Sequence, residues 1–107
     1  ATPVNDKVED IALNHVFSNQ TRCSSSKGWT GHTLGAAGAV EAVYSTLCIQ
    51  NDLLPVSLNT QQLDPEFKAN IIENPLSNIE VHTIASNSFG FGGNNCCLIF
   101  SDSDEFL

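Results

Sequence analysis

The sequence predicts an α/β fold, and three stretches carry that expectation. One is an amphipathic helical stretch near the N-terminus. Another is a helical stretch that is apolar on nearly every side, and the third is a pair of strand-like runs joined by a glycine-rich turn. With 107 residues, of which 41% are hydrophobic, the chain can build one modest core, so one domain or a piece of one is expected over residues 1–107. Four Lys plus Arg against twelve Asp plus Glu give a net charge of −8, which argues against nucleic acid, because phosphate binding needs clustered cations. No apolar run reaches the roughly 18 residues a membrane span requires. No basic stretch is followed by an apolar one as in a secretory signal, so a soluble, cytoplasmic chain is expected.

From Asn5 to Asn19, Val8, Ile11, Ala12, Val16 and Phe17 recur at helical intervals, and Asp6 followed by Glu9 resembles a capping box, so an amphipathic surface helix is expected. Thr21 to Ser26 reads as a brief strand running into a turn at Gly28 and Gly31. Thr33 to Gln50 reads as a buried helix. Gly35 and Gly38 within it suggest that another backbone packs closely there, since a helical glycine costs about 1 kcal/mol relative to alanine. Glu41 on such a helix must be paired, hydrogen-bonded or at the surface. Pro55, Pro65 and Pro75 make residues 51–78 an irregular connection with short extended pieces such as Val56 to Leu58. Val81 to Ser86 and Asn95 to Ser101 read as a buried hairpin closed by Phe89-Gly90-Phe91-Gly92-Gly93, and the acidic tail with Asp102, Asp104 and Glu105 reads as a solvated end.

Cys23, Cys48, Cys96 and Cys97 lack zinc-site spacing, and adjacent strand residues point to opposite faces, so reduced thiols acting mostly as small buried hydrophobes are expected. Core packing leaves two segments unexplained: Ser24 to His32 before the apolar helix, and Asn87 to Asn94 between the strands. His32 at a helix start is disfavoured as an imidazolium and suits a neutral donor to an oxyanion or enolate; capping the helix or satisfying a carbonyl is the competing reading. For Lys27 the plain alternative is a solvated charge, and for Phe89 and Phe91 it is core filling. The glycines match neither a phosphate loop nor a dinucleotide fingerprint.

Together, Ser26-Lys27-Gly28-Trp29-Thr30-Gly31-His32-Thr33-Leu34-Gly35-Ala36-Ala37-Gly38-Ala39-Val40-Glu41-Ala42 resembles the lysine and histidine motif of elongating β-ketoacyl-acyl-carrier-protein synthases. Asn87-Ser88-Phe89-Gly90-Phe91-Gly92-Gly93-Asn94 resembles their C-terminal glycine-rich loop, and Ala1 to Glu9 the segment after their His-Gly-Thr motif. The resemblance implies the C-terminal part of a thiolase-like layered α/β/α fold. It also implies decarboxylative condensation of malonyl-acyl-carrier protein with an acyl thioester in fatty-acid biosynthesis.

By the same resemblance His32 corresponds to the second of two histidines that hold the malonyl thioester carbonyl, and Lys27 to a lysine acting electrostatically through acidic neighbours, expected to be Glu9 and Asp6. Phe91, with Phe89 beside it, matches the acyl gate, and Thr2 matches a threonine that hydrogen-bonds the phosphopantetheine arm. Glu41, Ser86 and Asn87 could contribute to a structural monovalent cation site; no cofactor is otherwise required. The nucleophilic cysteine and first histidine of the family belong upstream of Ala1, so the chain is expected to be inactive alone and to co-assemble with the missing N-terminal portion and a second subunit. Asn94-Asn95-Cys96-Cys97 departs from the usual Thr-Asn and small residues. The acidic surface puts carrier-protein docking elsewhere in the enzyme. Other readings are a chain-length-factor-like partner subunit without catalysis, a polyketide or aryl-polyene ketosynthase, and a stand-alone interaction domain.

Overall fold

The computed structural model describes residues 2–102. Helix α1 runs Pro3–Phe17, strand β1 Arg22–Cys23, helix α2 Lys27–Thr30 and helix α3 Ala37–Asn51, with a 3-10 turn at Leu34–Ala36 before α3. Next come strands β2 Leu53–Leu54, β3 Asn70–Ile71, β4 Leu76–Ser77, β5 Thr83–Phe89 and β6 Asn95–Ser101. The architecture is mixed α/β, as expected, and the strands pair two by two: β1 with β3 in parallel, β2 with β4 and β5 with β6 antiparallel.

α1 begins earlier than its capping-box reading. Thr2 is the N-cap, its hydroxyl accepting the Asn5 N–H at 3.2 Å, and Pro3 occupies the first turn, where a missing N–H costs nothing. Asp6 and Glu9 therefore lie inside the helix. The amphipathicity is also turned round. Asn5, Asp6, Glu9, Asp10 and Asn14 lie on the covered side, whereas Val4, Val8, Ile11 and Val16 face outward. The cause is the partner on the inner side, a loop that offers backbone N–H groups to a carboxylate.

α3 packs along the β5–β6 hairpin and runs antiparallel to β5. Its first turns, at Gly38 and Glu41, lie against Ser88 and Ser86, while Thr46, Ile49 and Gln50 share a cavity with Ile99 to Asp102 at the hairpin's open end. Only one side of α3 is covered, with Ser45 and Cys48 buried, so the expected buried helix is open along Val43 and Leu47. Gly35 has no neighbour within 4 Å and Gly38 meets only the Ser88 hydroxyl, so the close backbone approach expected there is not supplied by residues 2–102. α3 ends where Asp52 turns left-handed (φ 50°), its N–H donating to the Cys48 carbonyl.

The hairpin starts at Thr83 and extends to Phe89, so Asn87 and Ser88 are ladder residues facing Cys97 and Cys96 and not loop residues. Gly92 (φ 86°) and Gly93 (φ 84°) make the turn with backbone angles that side chains resist. Expected as buried, β6 is exposed along most of its length, and so are Cys96 and Cys97; of the four thiols only Cys48 is buried. Burial pushes the Cys48 and Cys23 thiols above their ordinary range. Among the described residues the buried apolar side chains are Cys48, Ile72 and Val81. Residues 103–107 of the expected acidic tail lie outside the described residues, but Asp102 is engaged, its carboxylate 2.8 Å from His82 Nδ1.

Candidate active site

β1 delivers the chain to α2, and α2 is held by a segment that lies beyond α3 in the sequence. Trp29 Nε1 donates to the Val56 carbonyl at 2.9 Å, and Asn59 Nδ2 donates to the Gly28 carbonyl at 3.1 Å. Residues 55–59 thus serve as a cradle for α2 rather than as a strand. At Gly28 any side chain would collide with the Leu58 carbonyl, which is why that position carries none.

So held, α2 aims Lys27 at α3. Lys27 Nζ donates to Glu41 Oε1 at 2.7 Å, and the Ser86 hydroxyl of β5 donates to Glu41 Oε2 at 3.1 Å. The pair is partly covered, the lysine side chain 38% and the glutamate 17% exposed, so solvent screens it less than an open surface pair. Among the described residues Glu41, and not Glu9 or Asp6, is the ion-pair partner of Lys27. Burial pushes the Glu9 carboxyl above the ordinary 4.5, against an Asn5 amide hydrogen bond and the Lys27 charge, and with Asp6 and Glu41 adding to the rise.

Two of the three residues expected to contribute to a monovalent cation site, Glu41 and Ser86, are joined by a hydrogen bond. Both oxygens of Glu41 are engaged, one by an ammonium that already brings a positive charge, and the ladder residue Asn87 faces Cys97. Among the described residues no group of three His, Cys, Asp or Glu side chains converges as metal ligands.

His32 lies in the exposed link between α2 and the 3-10 turn, and the α-helix proper starts only at Ala37, so His32 sits farther from the helix dipole than its motif suggested. Gly31 (φ 73°) reverses the chain before it, and Leu34 (φ 53°) adopts a left-handed conformation that a bulky side chain resists. The link is thus shaped by two positive-φ residues that flank the histidine. Phe91 is fully exposed (103%) at the hairpin tip and Phe89 half-exposed, so neither fills a core within these residues. Because α3 starts beside the tip end of β5, Lys27, Glu41, the His32 link and the Phe91 tip share one end of the molecule. Thr2 caps α1.

Sequence reading missed the groups that hold this arrangement, above all Asp10, Trp29 and Asn59. Their partners are backbone groups tens of residues away, and no local pattern reports those.

The sequence matches the family model described as "Beta-ketoacyl synthase, C-terminal domain" over residues 1–61, which include α1, Lys27, His32 and Glu41. The chain belongs to the β-ketoacyl synthase C-terminal domain family. The mitochondrial 3-oxoacyl-(acyl-carrier-protein) synthase of Arabidopsis thaliana is 45% identical over 109 residues, which is 94% of this chain and 23% of that protein. The 3-oxoacyl-(acyl-carrier-protein) synthase 1 of Haemophilus influenzae is 45% identical over 94% of this chain and 25% of its own length. Synthase 2 of Staphylococcus aureus is 36% identical over 94% of this chain and 26% of its own. The chain therefore spans about a quarter of the length of the curated relatives it matches. The thiolase-like α/β class of this β-ketoacyl synthase domain agrees with the mixed helices and small sheets described above. Among the described residues no helix is long and apolar enough to cross a membrane.

Proposed function

We propose that this chain forms part of a 3-oxoacyl-acyl-carrier-protein synthase of fatty-acid biosynthesis, a cytoplasmic acyltransferase that works as a homodimer with acyl carrier protein as its partner, and that it supplies the decarboxylation half of the site. The observation that carries the reading is the Lys27–Glu41–Ser86 contact, which ties the lysine and histidine motif to strand β5 of the glycine-rich hairpin. Names carried by the relatives favour this over a polyketide ketosynthase. Retention of both Lys27 and His32 favours it over a partner subunit without catalysis.

In this reading an upstream cysteine thiolate holds the acyl chain as a thioester. The malonyl thioester loses carbon dioxide: its carboxyl–Cα bond breaks and the electron pair stays on Cα as an enolate. The His32 N–H stabilises the enolate oxygen, an electrostatic contribution of the oxyanion-hole kind. The enolate carbon then attacks the acyl thioester, a C–C bond forms, and the cysteine thiolate leaves. Lys27, neutralised by Glu41, orients the local field, and Phe91 on its glycine-flanked tip moves aside as the acyl chain enters. Thr2 would contact the phosphopantetheine arm.

The test is His32→Ala in the complete synthase, with the two half-reactions measured separately. Malonyl decarboxylation should fall by on the order of 10²–10³-fold or more, while acyl transfer to the cysteine stays largely intact. Lost transfer with preserved decarboxylation would refute the role assigned to His32.

A further inference from the structure

Glu9 on α1 is within electrostatic reach of Lys27 and Glu41, yet among the described residues no other helix or strand runs against α1. What holds it is the loop of residues 64–69. Lys7 reaches Glu66 at 2.8 Å, but both side chains are more than half exposed, and such surface pairs hold weakly. Asp10 is a different kind of contact. It is only 8% exposed, and its Oδ1 accepts the Lys68 N–H at 2.9 Å, the Ala69 N–H at 2.7 Å and the Asn14 side-chain amide at 3.2 Å. A carboxylate taken this far from water is tolerated only with such donors, and hydrogen bonds to a charged acceptor are the strong ones.

The loop that Asp10 grips continues without a break to Lys27. After Ala69, Asn70 and Ile71 pair with Arg22 and Cys23 of β1, Ile72 N–H donates to the Cys23 carbonyl at 2.9 Å, and Ser57 N–H donates to the Ile72 carbonyl at 2.8 Å. Ser57 lies in the cradle whose Val56 and Asn59 hold α2. Cys23 of β1 is within electrostatic reach of α1: the charges of Glu9 and Asp10 add to the burial that pushes up its thiol. Asp10 is thus the buried tie between the helix that bears Glu9 and the unit that bears Lys27.

We propose that Asp10 is a positioning residue for decarboxylation: by holding the backbone N–H groups of Lys68 and Ala69 it fixes where Glu9 stands relative to Lys27, without touching substrate. The proposal rests on the reading of Lys27 and His32 as the decarboxylation half of the site. It differs from a purely structural role because the disturbance falls on one half-reaction and on its pH dependence.

Asp10→Leu and Asp10→Asn in the complete synthase test it, with decarboxylation and acyl transfer each followed across pH and thermal melting recorded alongside. Asp10→Leu is expected to lower decarboxylation kcat by on the order of 10²-fold, the size of loss that small misplacements of a site produce. KM for malonyl-acyl-carrier protein and the rate of acyl transfer should change little, and the decarboxylation pH profile should move, because the surroundings of Glu9 change. Asp10→Asn keeps an oxygen acceptor for both N–H groups and should limit the loss to several-fold. If Asp10→Leu fails to fold, Asp10→Asn decides alone, through a several-fold loss confined to decarboxylation with a displaced pH profile. Unchanged decarboxylation, or both half-reactions falling together with the melting temperature, would overturn the proposal. His32→Ala in the same assays separates the two ideas: if it spares decarboxylation the site reading fails, whereas if it behaves as expected and the Asp10 variants do not, only the role of Asp10 falls.

Discussion

Glu9 has a carboxyl raised chiefly by burial, and that has a consequence for stability. A group whose folded-state pKa is raised favours folding when protonated, so its contribution is fully present below the unfolded value and is lost as pH rises through the folded one. Burial of the ionised Glu9 carboxylate therefore costs stability once pH has risen through that raised value. Glu9→Gln, which keeps the side chain neutral, is therefore expected to melt higher than the unaltered protein at pH 7, with the difference vanishing below its ordinary 4.5. Thermal melting of the complete synthase over that range checks this, and an equal or lower melting temperature at neutral pH would remove burial as the cause. Glu41 was legible as a problem, since a carboxylate on an apolar helix needs a partner. Its solution was not, because Lys27 and Ser86 arrive from two other elements. His32, Lys27 and Phe91 could be named from their motifs, but the motifs gave no account of what holds them.

At the scale of elements the decisive contact is α2 on its cradle. Gly28→Ala would drive a methyl into the Leu58 carbonyl, a backbone group that cannot swing aside, so a loss of about 1–3 kcal/mol is expected, as for other overpacked sites. The same variant should loosen the Lys27–Glu41 pair that α2 aims. Melting of the complete synthase measures the first effect and malonyl decarboxylation the second. Gly35→Ala is the comparison, for nothing among residues 2–102 stands within 4 Å of the added methyl, so any loss there reports a contact made by other parts of the enzyme. The elements were legible to differing degrees. α1, α3 and the terminal hairpin could be read from periodicity and glycine placement. The strands β2, β3 and β4, two residues each, carry no periodic signal, and their pairings join distant segments, so residues 51–78 read as irregular. The start of α1 was displaced because Thr2 and Pro3 formed the cap that Asp6 and Glu9 mimic.

For the whole molecule the question is which surface has been left uncovered. The chain exposes 7731 Å², against roughly 5,800 Å² for a folded monomer of this mass. Large apolar side chains contribute to the excess: Val4, Val8 and Ile11 line one side of α1, Leu34, Val43 and Leu47 open from the α3 region, and Ile99 and Phe91 from the hairpin. Among the described residues only Cys48, Ile72 and Val81 are buried apolar side chains, so burial is small against the roughly 1–2 kcal/mol of backbone entropy lost per ordered residue. The periodicity of α1 and the apolar character of α3 placed such faces in the interior, whereas within residues 2–102 they are exposed. The chain by itself is therefore expected to bind a hydrophobic dye such as ANS, to melt without a cooperative transition and to aggregate on concentration. Co-expression with the remaining portion of the synthase should suppress dye binding and restore a cooperative melt. A monomeric, cooperatively melting preparation of residues 1–107 alone would mean that the exposed stripes of α1 and α3 are tolerated surface rather than interfaces awaiting the rest of the enzyme.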